Sequence, residues 1–472
     1  DGIEIPTINH FATQGSGGGP TGILNVSFIE EVKLSTSSFD ARYDNTLSSV
    51  FQFKQRNGNP NRIQGNVRLS ATELATTLEG PLSHKTTFLA SARRSYLQLL
   101  FKAIDLPIRP NYWDFQTKIT HRINKKLTLT FLGLGAIDEF NFGVPREATP
   151  EKLYVLDATP SINQWNYTVG ASLRKQIARG YWNLALSRSM LDNSIEKFDG
   201  NQYGNETKRR TGIFSQEIEN KLRFDVNRSY NNYKISYGIV AQYVKNNNDA
   251  FQRIRQEFID GNGTLIQPAV IVKYASAINF WRTGGFFQIS KRTLANRLSL
   301  SAGLRTDLNS FTTTGNNPLK TLSGRFNASY TLSERWTLNA SIGNYFKIAP
   351  YTILSHTDNT GKFTNKDANY TESIHYVAGI EYLPAPTTRF TLEGFYKRYK
   401  QVPISVRDGI SLANLGGDFT ILGNEDVTTN GEGNAAGIEL FFQQKLTKRF
   451  FTTLSYTLFY SQYSGSNGKL IA

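Results

Sequence analysis

Along much of the chain, apolar and polar side chains alternate with a period of two. Across residues 297–308 the even positions read Leu298, Leu300, Ala302, Leu304, Thr306 and Leu308, and the odd positions Arg297, Ser299, Ser301, Gly303, Arg305 and Asp307. Phe326, Ala328, Tyr330 and Leu332 stand against Arg325, Asn327, Ser329 and Thr331 in the same way. Trp165, Tyr167, Val169, Ala171 and Leu173 likewise alternate with Asn166, Thr168, Gly170, Ser172 and Arg174. A period of two puts the two sets on opposite faces of a strand. Each run matches the roughly 9–11 residues that a tilted strand needs to cross a bilayer, whereas soluble strands average about five or six. The pattern predicts an all-β fold, a transmembrane antiparallel barrel with oily outer and wet inner faces.

The connections repeat the signal. Short turns are predicted near Pro81–Lys85, Asn124–Lys126, Ala178–Gly180, Arg228–Asn232, Lys291–Asn296, Leu332–Arg335, Ala385–Thr388 and Thr447–Arg449. Between them lie longer polar stretches near 98–112, 139–163, 192–211, 246–276, 310–322, 348–372 and 402–434. Strict alternation of short and long connections is the habit of outer-membrane barrels, with short turns on the periplasmic side. With a tight first connection within 70–74, the reading yields about seventeen strands. An odd count leaves the last strand, Phe450 to Tyr463, with a bare edge. Unpaired backbone groups in hydrocarbon cost several kcal/mol each, so the barrel, residues 59–472, is expected to be incomplete at its C-terminus. Residues 1–58 form a second unit, with glycines clustered in Gln14–Gly22, β-rich runs at Ile29–Leu34 and Leu47–Phe53, and a linker at Asn57–Pro60.

Composition narrows the function classes. The chain has 472 residues and is 39% hydrophobic, and no run approaches the roughly 18 apolar residues of a spanning helix. It has no cysteine, so neither disulfides nor cysteine metal sites contribute. A net charge of +15 favours anionic partners such as phosphorylated lipid headgroups or acidic solutes. Its basic residues are scattered and carry no nucleic-acid motif, so no nucleic acid is expected as a partner. The charge is expected in lumen, loops and turns, since Lys or Arg at the bilayer midplane costs roughly 2–4 kcal/mol. The 31 Phe, 23 Tyr and 5 Trp suit two aromatic girdles, with Trp165 and Trp336 at strand ends. The chain opens at Asp1 with no leader, so a targeting segment is expected upstream.

Asp1-Gly2-Ile3, Phe28-Ile29-Glu30-Glu31-Val32-Lys33-Leu34, Ala41-Arg42-Tyr43 and Leu47-Ser48-Ser49-Val50 resemble the C-terminal half of the plug of TonB-dependent receptors. Downstream, Glu79-Gly80-Pro81-Leu82, Arg93-Arg94-Ser95-Tyr96, Glu393-Gly394-Phe395-Tyr396-Lys397 and Gly437-Ile438-Glu439-Leu440 resemble barrel strands of the same family, in a branch common in Bacteroidetes. Ser37, Ser38 and Asp44 stand where the family usually has glycine, so a local turn is expected to differ. The resemblance implies a barrel of about 22 strands filled by a plug, of which about five strands would lie outside the sequence. It implies TonB-dependent import of a scarce solute, a siderophore, cobalamin, glycan or peptide. The implied partners are TonB, powered through ExbB and ExbD and engaging an upstream segment, outer-membrane lipid and lipopolysaccharide, and a surface lipoprotein.

Catalysis finds no support. His10, His84, His121, His356 and His375 lack zinc-site spacing or a serine partner, and surface or lumen roles account for them. Gly17-x-Gly19-x-x-Gly22 and Gly431-x-Gly433-x-x-Ala436 match a dinucleotide fingerprint by letters, yet neither follows a buried strand and opens a helix. No enzyme activity, metal or cofactor is expected. For solute binding the candidates are His10, Phe11 and Gln14, on a plug loop whose apex would face the outer vestibule, and the inward Arg305 and Arg325. Against this stand a merely structural turn and pairing of the arginines with carboxylates such as Asp307. Two rival readings are a passive porin-like channel, which would lack a plug, and a surface carbohydrate-binding β protein, which would not need lipid.

Overall fold

The computed structural model describes residues 2–15, 18–415 and 422–471. Among the described residues, one antiparallel sheet of eighteen strands curls into a barrel. Its strands are Gln64–Leu69, Glu73–Ser83, Thr86–Ser95, Ile108–Asn124, Leu127–Phe142, Ser161–Ile177, Gly180–Phe198, Arg209–Tyr230 and Tyr233–Arg255 in the first half. Val270–Thr293, Leu298–Asn309, Ser323–Thr331, Trp336–Lys347, Thr371–Ala385, Thr388–Ser405, Val427–Thr447, Phe450–Ser464 and Leu470–Ile471 complete it. No described helix is long and apolar enough to cross a membrane.

Seventeen of these strands are those the alternation predicts. The eighteenth, Leu470–Ile471, comes from a turn back after Phe450–Ser464 and pairs with Tyr463 and Ser464. It occupies the edge expected to be bare, and in the ring order it stands next to Gln64–Leu69. So short a strand covers little: Val67 and Leu69 on one side, and Tyr456, Leu458, Phe459 and Tyr460 on the other, are exposed.

Pairing follows the two-residue period throughout. Ala302, Phe326, Ile342, Tyr376 and Tyr396 form an outward row on five successive strands, and Gly303, Arg325, Gly343, His375 and Lys397 the inward row beside it. Outward aromatics collect near strand ends. Trp336, Tyr382, Phe390 and Phe442 run across four strands, with ring centroids 4.2, 6.3 and 4.6 Å apart; Trp113–Phe115, Trp165–Tyr167 and Tyr243–Trp281 pair elsewhere on the wall. Amphipathic rings settle at the headgroup level.

The short turns bend tightly enough that Arg179, Asn231 and Lys448 take positive φ, as two-residue hairpins require. Several strands exceed the predicted length, reaching 22, 23 and 24 residues at Arg209–Tyr230, Tyr233–Arg255 and Val270–Thr293. Hairpin hydrogen bonding satisfies the backbone in water as well as in lipid, so these strands continue past the stretch whose outer face is apolar. Gly431 and Gly433 lie in the strand Val427–Thr447, where no helix exists to cradle a phosphate; Gly17 of the other letter match, like Asp1, lies outside the described residues.

The N-terminal unit sits inside this wall. Asn9–His10 pairs with Thr21–Gly22, and Ile29–Ser35 with Val50–Gln55. Its apolar contacts with the wall include two small clusters: Ile23 packs on Leu134 and Ala136, and Phe11 on Tyr112, Phe140, Ile162 and Ile195.

Candidate functional site

The strands' wet faces put polar and charged groups in the lumen, and the N-terminal segment is held by them. The strongest grip is on Phe39–Asn45. The Arg325 guanidinium donates to the carbonyls of Phe39 (3.3 Å), Tyr43 (3.1 Å) and Asp40, and lies over the rings of Phe39 and Tyr345, 5.2 and 4.6 Å from their centroids. Arg305 donates to the Ala41 carbonyl and pairs with Asp307, its Nε 2.8 Å from the carboxylate. Gly303 faces Ala41 so closely that a Cβ there would stand 2.9 Å from the alanine methyl. Arg42 reaches Asn227 at 2.7 Å, and Arg223 reaches the Arg42 carbonyl at 2.8 Å.

Asp44 is paired with Lys221 at 2.7 Å, both side chains buried; Lys221 also takes the Glu4 carboxylate. Burial alone would raise the Asp44 pKa, but the charges of Lys221, Arg305, Arg223 and Arg282 hold it well below the usual carboxylate range. The positive φ of the turn falls on Asn45 instead, whose side chain accepts the Ile348 amide at 3.0 Å. Lys118 donates to the Gln55 carbonyl at 2.7 Å and Lys397 to that of Thr36 at 2.8 Å, so the seam runs around the wall.

The hairpin of Asn9–His10 and Thr21–Gly22 has its own anchorage. His10 is wholly buried, with Nδ1 2.5 Å from Asp138 and Nε2 3.1 Å from Asp114, and its ring stacks on Tyr112 at 3.8 Å. Burial would lower its pKa, yet hydrogen bonds and charge from the two aspartates raise it above the ordinary imidazole value. Phe11 gives its amide to Asp138 at 2.9 Å and buries its ring edge-on to Phe140. The Gln14 amide accepts from Ser215 and Asn193 and donates to Glu217 at 3.3 Å.

Next to this hairpin, the long connection between Trp336–Lys347 and Thr371–Ala385 folds inward rather than outward. Ile348, Ala349, Tyr351, Ile353 and Leu354 are buried with Val244, Ile278 and Phe280 of the wall. Tyr351 donates to Glu219 at 2.5 Å and Thr352 to the Leu422 carbonyl at 2.5 Å. Pro350 and Thr352 lie against Gly15. This cover therefore rests on the chain just after Gln14.

All five residues singled out for solute contact thus lie in the lumen, and in this arrangement they contact protein: His10, Phe11, Gln14, Arg305 and Arg325 are 0, 3, 2, 3 and 6% exposed. Arg305 takes Asp307, the pairing that competes with a solute role. Sequence reasoning missed Lys221, Asp114, Asp138 and Arg93. Their signal was an ionisable residue mid-strand on the wet face, as Asp114 is between the outward Trp113 and Phe115. Among the described residues, no three His, Cys, Asp or Glu side chains gather as a metal site.

The model of the family described as TonB dependent receptor-like, beta-barrel matches residues 112–471. No curated protein matches. Among solved structures, a mutant of the ferric enterobactin receptor PfeA from Pseudomonas aeruginosa is similar at a TM-score of 0.66 and 16% identity, over 93% of this chain and 68% of that one. The outer membrane transporter YddB from Escherichia coli is similar at 0.63 and 11%, over 99% and 71%. The copper transporter OprC is similar at 0.65 and 12%, over 98% and 72%. At these identities the structural likeness speaks for the fold, and the family match for membership. The chain belongs to the TonB-dependent receptor barrels, non-enzymatic proteins of the bacterial outer membrane.

Proposed function

We propose that the protein imports a scarce solute across the outer membrane through a plugged barrel energised by TonB, with residues 1–58 as the C-terminal half of the plug and residues 59–472 as barrel wall. The observation that carries this reading is the nature of the seam. Among the described residues, the N-terminal segment is held by discrete hydrogen bonds and ion pairs such as Lys221–Asp44 and Arg325 on Phe39–Tyr43, with small apolar clusters between. A polar seam can exchange its partners for water, so a pull on the segment can displace it while the strand hydrogen bonds keep the wall intact.

Solute would arrive at the inward-folded cover. Gln14 lies beneath it and is the first of the candidate residues that a solute displacing Tyr351–Leu354 would meet. His10, Phe11, Arg305 and Arg325 become available only as their pairs part. The solute itself is a siderophore, cobalamin, glycan or peptide. Relatives of this fold described as receptors for ferric enterobactin and transporters of copper show how little the barrel dictates the cargo. TonB with ExbB and ExbD, lipopolysaccharide and a surface lipoprotein are the partners this reading entails.

Planar-bilayer recording of the full-length protein tests the proposal. The intact protein is expected to stay closed, and a variant pulled open by denaturant at concentrations that spare the barrel is expected to conduct. High conductance from the untreated protein would establish a passive channel instead, and partition into water without detergent a soluble carbohydrate-binding protein.

A further inference from the structure

His10 touches two carboxylates, one through each ring nitrogen. A neutral imidazole carries a single N–H, so one of these contacts would set a lone pair against a carboxylate oxygen. Both partners are already committed as acceptors. The Arg93 Nε donates to Asp114 Oδ2 at 2.6 Å, and the Phe11 amide donates to Asp138 Oδ2 at 2.9 Å. With both carboxylates ionised, the ring donates twice, as imidazolium.

We infer that His10 is a positioning residue whose second ring proton clamps the hairpin of Asn9–His10 and Thr21–Gly22 to the barrel wall, so that losing this proton frees the hairpin. The inference rests on the plug reading above. The groups facing the ring are Asp114 and Tyr112 on the strand Ile108–Asn124, Asp138 on Leu127–Phe142, Arg93 on Thr86–Ser95, and Glu73 on Glu73–Ser83, which binds Arg93 at 3.2 Å and the Tyr112 hydroxyl at 3.1 Å. Arg68 pairs with Glu73 at 2.7 Å, so three carboxylates face three cations when the ring is charged, and two when it is not. Arg93 Nη2, 3.5 Å from the His10 Nε2, opposes the charge on the ring, but it also donates to the Gly22 carbonyl at 2.6 Å. Gly22 pairs with Asn9, and Thr21 with His10. The one cluster thus holds both strands of the hairpin, and four strands of the wall supply it.

The sign follows from the raised pKa of His10. The clamp is complete below the ordinary imidazole range and is lost as pH rises through the higher folded value.

The test uses the full-length protein in detergent, with histidine ¹⁵N spectra assigned through His10→Gln. At about pH 7, slightly above the ordinary imidazole pKa of about 6.5, both His10 nitrogens are expected to carry protons; a neutral ring there overturns the inference. Because the chain has no cysteine, Ala12→Cys reports the hairpin by maleimide labelling, scaled to Asn262→Cys in an exposed loop. Labelling is expected to rise at least tenfold across the His10 titration, and to be high and independent of pH in His10→Gln. A titrating ring with constant labelling overturns the release step. A barrel that conducts at every pH while His10 still titrates sinks the plug reading and leaves the clamp standing.

Discussion

Lys221 and Asp44 meet at 2.7 Å inside the barrel, with side chains 7% and 4% exposed. The lysine belongs to the wall and the aspartate to the N-terminal segment, so this pair measures how firmly the segment is seated. Lys221→Met leaves the Asp44 carboxylate buried without its partner, at a cost of about 3–5 kcal/mol. Adding Asp44→Asn should return most of that loss, since the orphaned charge goes with it. Denaturant titration of the three variants, followed by a fluorophore on the N-terminal segment, completes the cycle; losses that simply add would show that the two residues do not interact.

The same pair sets an acid limit. An aspartate whose folded pKa is depressed stabilises the seat above its unfolded pKa, and that contribution is lost only as pH falls through the folded value. For Asp44 the folded value lies well below the usual range. Hydrogen exchange at Ala41–Asn45, corrected for its intrinsic pH dependence, should keep the same protection from about pH 7 to about pH 4, the ordinary aspartate pKa. Loss of protection on reaching about pH 4 would contradict the pairing.

Arg325 serves three backbone carbonyls and two aromatic rings. Hydrogen bonds to charged groups contribute about 1.5–3 kcal/mol each, so Arg325→Ala should loosen Phe39–Tyr43 by roughly 3 kcal/mol or more. Arg325→Lys is expected to recover little, because one ammonium cannot reproduce a planar fork. Limited proteolysis at Arg42 reads both variants.

Gly423 holds the cover down. It has a φ of +97°, and a side chain there would collide with Ile353 and Thr352. Gly423→Val should lift Pro350–Leu354 off Gly15, raising maleimide labelling of a Thr13→Cys reporter several-fold while barrel heat stability stays unchanged. Unaltered labelling would mean that the cover does not depend on this turn.

The outward row has a direct test. Nitroxides at Leu298, Leu300, Ala302 and Leu304 should meet oxygen dissolved in lipid, and those at Ser299, Ser301, Gly303 and Arg305 should not. Leu304→Arg should cost about 2–4 kcal/mol if it sits near the midplane. Equal oxygen access at even and odd positions would undo the membrane assignment.

Much of the fold was legible because a strand's period is independent of its neighbours. Leu298 to Asp307 declare their faces before any partner is known, and turns such as Ala178–Gly180 declare where the chain reverses. The extra strand Leu470–Ile471 was not legible: two residues carry no period. Nor was the inward fold of Ile348–Leu354, whose apolar residues acquire meaning only against Val244, Ile278 and Phe280 of distant strands.

The candidate residues show the same division. Arg305 and Arg325 were readable as inward, and Asp307 as a neighbour two positions away. Nothing local could tell that His10 would find Asp114 and Asp138, 104 and 128 residues along the chain.

By itself the sequence determined which side of the wall each residue occupies, since backbone geometry throws alternate side chains to opposite faces. Only the tertiary structure decided which inward groups meet. Angular position around a barrel comes from the sum of all strand registers, and proximity across the lumen exists only once the sheet has curled around the N-terminal segment.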